Sequence, residues 1–323
     1  MKASLPCLFL AVASLCCFGQ QSKENPVAME NSSSLASLTA VRLVRSVTEV
    51  NLVFTVTRGR HLVDNLRPED LEIRDNGRRP ERVTHFEAKT NLPLRLALLI
   101  DKSDSVRARF KFEQNSAAEF LKRVLRPGDS AMVIGFNQHV QLAQGPSADL
   151  RQLSRSIKKL KPGGDTAVFD ALSFAARRLA DIKDEGPVRR VIVILSDGQE
   201  NSSRRRLAKA TNDALYAEAA IFSITSSNKA ACQSDPVCQE GDTTLQSLSD
   251  STGGEFLRAG EDSDLSTAFN KIRDELRKEY AVSYSPGFGA PDGLFHTVTI
   301  SSRKGTRIHC RKGYYAKESV PQP

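Results

Sequence analysis

The stretch Leu96-Ala-Leu-Leu-Ile-Asp101-Lys-Ser103-Asp-Ser105 constrains the fold more than any other part of the chain. An unbroken apolar run that stops at a carboxylate reads as a strand buried on both faces, because the polar alternation of a half-exposed strand is missing. Such strands belong to parallel sheets covered by helices, and ligands of those folds sit in the crevice outside the carboxyl ends of the strands. Asp101 and the hydroxyls at alternate positions, Ser103 and Ser105, fall at that edge.

Beyond Ser105 the chain keeps to an alternation of helix and strand. Phe110, Ala117, Leu121 and Val124 share a helical face up to Arg126-Pro-Gly128, and Ser130 to Phe136 is the next strand, with Gln138 to Leu142 as a short antiparallel partner. Ser147 is expected to cap a helix running through Leu160. Pro162-Gly-Gly164 breaks it, and a third helix opens at Thr166. Arg190 to Leu195 is a buried strand ending in Ser196-Asp197-Gly198. A helix from Arg204 to Ala219, a strand from Ala220 to Thr225, a helix from Thr243 to Ser251, a short strand from Gly254 to Leu257 and a last helix marked by Leu265, Phe269, Ile272 and Leu276 complete the series. Strand and helix in alternation predict an α/β domain over residues 94–279, a doubly wound and mostly parallel sheet.

The flanks have a different texture. Val50, Leu52, Phe54 and Val56 alternate as a half-buried strand, and Asn76-Gly77 is a strong hairpin signal from which Arg82 to Phe86 is expected to pair back onto Pro68 to Ile73. Beyond the α/β domain, Tyr280, Val282 and Tyr284 alternate, and His296 to Ile300 with Thr306 to Cys310 reads as a hairpin around Arg303-Lys-Gly305. Each half has too few strands to stand alone. The expectation is one small β-sandwich-like module, residues 41–90 and 280–316, with the α/β domain inserted and a tail at 317–323.

The amino terminus reads as a secretory signal. Lys2 precedes an apolar run from Leu5 to Phe18, and cleavage is expected after Gly19, leaving a Ser-rich tether over 20–40. The run is shorter than the ~20 residues a membrane-crossing helix needs. Lipoprotein processing at Cys16 or Cys17 is disfavoured because neither follows a small residue. The mature chain keeps Cys232, Cys238 and Cys310, too few for a disulfide scaffold. In an exported protein Cys232 and Cys238 are placed to close a small loop, while Cys310 reads as a buried free thiol, with an intermolecular bridge as its alternative. The five His, at 61, 85, 139, 296 and 309, show no metal-ligand spacing. The net charge of +8 comes from short runs such as Arg204-Arg205-Arg206 and Lys158-Lys159, without interleaved aromatics, so nucleic acid is not the expected partner.

Three segments offer oxygen donors at strand ends or helix starts: Asp101-x-Ser103-x-Ser105, Gly163-Gly164-Asp165-Thr166 and Ser196-Asp197-Gly198. Magnesium takes hard oxygen ligands in an octahedron, keeps several waters and uses one or two carboxylates. Hydroxyl ligands leave its charge largely unneutralised, so an open coordination position would attract an external carboxylate. Taken singly, Asp and Ser near a strand end more often cap the next helix.

The full set, in this order and with Gly-Gly-Asp-Thr-Ala-Val-Phe-Asp-Ala-Leu172 and Val191-Ile-Val-Ile-Leu-Ser-Asp-Gly198, resembles the metal-ion-dependent adhesion site of von Willebrand factor type A domains over about Leu94 to Tyr280. The flanking β segments and Arg311-Lys-Gly-Tyr-Tyr-Ala316 resemble the exported von Willebrand factor A-related proteins of Acidobacteria. The resemblance implies that Ser103, Ser105 and Thr166 bind Mg²⁺ or Mn²⁺ directly, that Asp101 and Asp197 hold the ion's waters, and that the ion accepts an Asp or Glu from a partner protein. Asp165 departs from the small residue common at its position and adds negative charge beside Thr166. The leading expectation is thus an exported protein-binding module and not an enzyme. A magnesium-dependent hydrolase using Asp101 lacks a sequence-placed base, nucleophile or phosphate-cradling loop, and a structural envelope protein with a purely stabilising ion is the other alternative.

Overall fold

The computed structural model describes residues 49–316 apart from 60, 89, 261, 287–291 and 303–304. The expected leader, tether and tail lie outside the described residues. Four strands come first: β1 (Val50–Arg58), β2 (His61–Leu62), β3 (Leu71–Asp75), after a 3-10 turn at Pro68–Asp70, and β4 (Arg82–Ala88). The α/β region begins with β5 (Leu94–Asp101), α1 (Phe110–Val124), β6 (Ser130–Phe136), β7 (Val140–Ser147), α2 (Leu150–Lys159) and α3 (Val168–Ala180). It continues through β8 (Arg189–Ser196), α4 (Leu207–Tyr216), β9 (Ala219–Thr225), α5 (Lys229–Cys232), α6 (Pro236–Thr252), β10 (Phe256–Arg258) and α7 (Asp262–Leu276). Last are β11 (Tyr280–Ser285), β12 (Phe295–Ser302), β13 (Arg307–His309) and β14 (Gly313–Tyr315).

The central sheet has the order β10-β9-β8-β5-β6-β7, parallel throughout except for β7. Its central strand shows why an unbroken apolar run was needed. Leu96, Leu98 and Ile100 point into one core with α1, α2 and α7, while Ala97 and Leu99 point into a second core with α3, α4 and α6. Period-two alternation therefore serves two helical layers instead of one layer and water. Each fully buried aliphatic side chain contributes about 1.5 to 3 kcal/mol, so the strand register is set firmly from both faces.

The helix ends differ in detail from expectation. Asp149, not Ser147, caps α2: its carboxylate accepts from Arg151 N at 2.8 Å and Gln152 N at 3.2 Å, while Ser147 Oγ accepts from Asp149 N. The third helix starts at Val168 and α4 at Leu207, each later than the sequence suggested, because the residues before them make loop contacts at the sheet edge. The helix expected from Thr243 begins at Pro236, capped by Asp235, so Cys238 lies inside α6.

The remaining strands form a five-stranded sheet, β13-β1-β11-β4 with β2 on β1, facing a three-stranded sheet, β14-β12-β3. Val50, Leu52, Phe54, Val56, Tyr280 and Tyr284 pack between them against Ile73, Val298 and Tyr314. Neither expected hairpin pairs on itself. The Asn76-Gly77 turn forms, with φ of 46° and 75° and Asp75 N donating to Arg78 O at 2.8 Å, but β3 then pairs with β12 and β4 with β11. Likewise β12 pairs with β14 and β3, and β13 with β1. Turn chemistry sets a reversal of direction; which sheet the second arm joins is decided by burial between two layers.

Candidate metal centre

Asp101 ends β5 and Asp197 comes just after the end of β8, the two strands between which the sheet's winding reverses. That switch point is where an open α/β sheet leaves a crevice. Asp101 is fully buried, its Oδ1 accepting from Ser103 N at 2.8 Å and its Oδ2 from Ser196 Oγ at 2.5 Å. Burial pushes its carboxyl up to about 6 against the pull of those hydrogen bonds, and the nearby Asp197 adds to the rise. Among the described residues no ion pair reaches Asp101 or Asp197, and the cation whose charge acts on Asp101 is its chain neighbour Lys102, which forms no contact ion pair with it.

Ser103 is buried and Ser105 exposed, and their Oγ atoms lie 2.9 Å apart. Adjacent ligands of an octahedral ion with bonds of ~2.1 Å are ~3.0 Å apart, so two oxygens at this spacing suit neighbouring positions on Mg²⁺. The residues present therefore fit a hard divalent ion, by donor chemistry and by spacing.

Hydrogen bonds lace the three ligand-bearing segments together. Gly163 N donates to Lys102 O at 2.6 Å, Asp104 N to Gly164 O at 2.9 Å, and Gly164 N to Asp104 Oδ2 at 3.0 Å. Asp104 is exposed but holds this loop and also Arg107. Thr166, buried, donates its N–H to Asn201 Oδ1 at 2.8 Å, and its carbonyl accepts from Asn201 N and Ser202 N. Asp165, beside it, is exposed. Asp170 does more than favour a helix start: its carboxylate accepts from Arg204 N, Arg205 N and Arg205 Nη1, all at 3.1 Å. Arg205 is thereby pinned in a loop and not laid on a helix face.

Sequence reasoning missed three residues that position the site and named a fourth, Ser196, without its role. Ser196 orients Asp101. Buried Asn137, just past β6, donates from Nδ2 to Gly163 O and accepts from Ala167 N at its carbonyl, clamping the Thr166 loop. Asn201 holds Thr166. Arg109 donates from Nη1 to Ser226 O at 2.8 Å, Ala259 O at 3.2 Å and Gly260 O at 2.9 Å, tying the loop after β5 to the ends of β9 and β10. Asn137 carried a signal, being a polar residue where an apolar strand ends; Arg109 carried none.

The structure joins Cys232 to Cys238 in a disulfide and leaves Cys310 free, its thiol pushed up to about 11 by burial. Asp242 lies beside the disulfide sulfurs, but their bond removes them as metal donors. Among the described residues no helix is long and apolar enough to cross a membrane.

Residues 96–199 match the family model described as von Willebrand factor type A domain. Among solved structures, the chain is similar to the vWF domain of the type V pili tip protein Mfa5 of Porphyromonas gingivalis, at 14% identity over 57% of this chain and 95% of that one, with a TM-score of 0.47. It is also similar to a von Willebrand factor type A protein from Catenulispora acidiphila (13% identity, 74% and 71% covered, TM-score 0.48). A third is an aerotolerance-related membrane protein from Bacteroides fragilis (16% identity, 57% and 98% covered, TM-score 0.45). No curated protein matches the chain in sequence.

Proposed function

From the premise that this chain carries a von Willebrand factor type A domain, we propose that it works outside the cytoplasm as a metal-ion-dependent protein-binding module. Ser103, Ser105 and Thr166 would hold Mg²⁺ or Mn²⁺ directly, with Asp101 and Asp197 holding its waters. The ion supplies a Lewis-acidic position for an Asp or Glu side chain of a partner. The observation that carries this reading is the pair of serine hydroxyls 2.9 Å apart in the segment whose Ser103 N donates to buried Asp101, a carboxylate with no ion pair among the described residues. Binding rather than catalysis is supported by the site's own bonding, in which Ser103 Oγ meets Ser105 Oγ instead of a base. The Cys232–Cys238 disulfide supports export, since such bonds persist in oxidising compartments.

The test is thermal melting in EDTA, Mg²⁺ and Mn²⁺, for wild type and Asp101→Ala, with subsequent capture of partners presenting acidic side chains. A metal-dependent shift in wild type alone, with capture lost in EDTA, is the expected result. No shift in either protein overturns the reading.

A further inference from the structure

Outside the ligand set, one backbone contact ties the site to a covalent bond. Gly198 comes directly after Asp197 with φ of 76°, and a Cβ placed on it would fall 2.7 Å from the carbonyl carbon and oxygen of Gly241 in α6. A Cβ on Gly241 would in turn fall 2.8 Å from Gly198 C and 2.9 Å from Asp197 O. Two backbones this close move together or not at all. Gly241 sits early in α6, where Asp235 accepts from Val237 N at 3.0 Å, buried Asp242 pairs with Arg258, and Cys238 is bonded to Cys232 of α5. Cys232 Sγ also lies 3.3 Å from Asp242 Oδ2. A four-residue helix such as α5 does not hold itself; the bond to Cys238 is its covalent tie to α6, beside hydrogen bonds from Gln239 Nε2 to Cys232 O at 3.2 Å and Gln233 O at 2.8 Å.

We propose that the Cys232–Cys238 disulfide is a redox-operated clamp on the metal centre. Oxidised, it sets the first turns of α6, and Gly241 then holds the Asp197–Gly198 turn in register for the ion. A dithiol reductant supplies two electrons and two protons: the Sγ–Sγ bond breaks, each sulfur becomes a thiol, and the reductant closes its own disulfide. Two sulfurs no longer covalently joined must then separate to non-bonded contact, at least ~3.5 Å, in a site where both are buried. The start of α6 shifts to make room, and the turn carrying Asp197 shifts with it. Cys310, its thiol pushed up to about 11, stays protonated and out of the exchange.

The clamp rests on the metal reading above, and one experiment separates the two. Mg²⁺ is titrated calorimetrically into the full chain, oxidised and after treatment with a dithiol, with melting in EDTA recorded beside each titration. The expected result is Mg²⁺ affinity lower by roughly tenfold in the reduced form while melting stays cooperative, a loss of the size seen when groups supporting metal ligands are removed. A Cys232→Ser, Cys238→Ser double variant should bind as weakly and ignore the reductant, and Gly241→Ala should bind weakly in both redox states. Equal affinity in oxidised and reduced wild type overturns the clamp with the metal site intact. Absence of Mg²⁺ binding in the oxidised protein overturns the metal reading, and the clamp with it.

Discussion

At the amino-terminal end of the central sheet, buried acids face arginines: Glu279 takes a two-pronged contact from Arg189 at 2.7 to 3.0 Å, Asp184 meets Arg95 at 2.8 Å, and Asp129 meets Arg277 at 3.2 Å. Glu275 uses another device there, a proton, and hydrogen-bonds Glu255. At the carboxyl end, Asp101 and Asp197 make no ion pair among the described residues and accept from serine hydroxyls and backbone N–H groups. A buried carboxylate without a counter-charge costs several kcal/mol. The same sheet thus pairs its acids with arginines at one end and leaves them without an ion pair at the other. Equally buried carboxylates thus keep different company at the two ends.

The largest expected effect breaks the closed end. Arg189→Ala leaves Glu279, only 1% exposed, without its partner and should cost about 3 to 5 kcal/mol in urea denaturation. Replacing both by hydrophobic residues should recover most of that loss, since an apolar pair avoids desolvating two charges. Recovery from the single change alone would mean the two ends do not differ as described.

At the open end, Mg²⁺ at ~100 times its dissociation constant should stabilise wild type by about 2.7 kcal/mol and leave Asp101→Ala unmoved. The same titration on a variant altered at the closed end should show the full gain, which differential melting will check. A smaller effect tests the proton. Burial, reinforced by Glu255, pushes Glu275 up to about 9 from an ordinary glutamate value. The native chain therefore holds a proton that the unfolded chain releases, and stability falls as pH rises from about 4.5 to 9. Glu275→Gln should flatten that slope, raising the melting temperature at pH 8 by a few degrees and changing little at pH 4. Least of all, Arg107→Ala removes an exposed partner of Asp104 and should leave the melting temperature within about a degree.

The open end was the more legible of the two in the sequence. Asp101 and Asp197 sit where apolar runs stop, and Thr166 follows a Pro-Gly-Gly break at a helix start, so these donors stand out by contrast with what precedes them. The closed end was invisible, because Arg189 and Glu279 are 90 residues apart and each alone looks like a surface charge. Asn201 hid for a related reason: asparagine is common in loops, and nothing local marks the one that holds a neighbouring loop. The Asn76-Gly77 turn was legible as a turn, yet the strands on either side take partners from the far end of the chain, Ile73 opposite Ile300 and Phe86 opposite Val282.

The chain leaves the β sheets at Ala88 and returns at Tyr280, and these two residues are direct partners in the β4·β11 ladder. A tensile load applied at the far edge, where Asp101 and Asp197 lie, therefore reaches the β sheets through two covalent connections side by side. It pulls β4 and β11 together, along their own length, so that the β11 ladder to β1, from Val50 opposite Tyr284 to Phe54 opposite Tyr280, is loaded in shear. Hydrogen bonds that run across the strands then resist as a group and do not open one at a time. An adhesive grip at the metal edge would be backed by an anchorage that shares force between two strands.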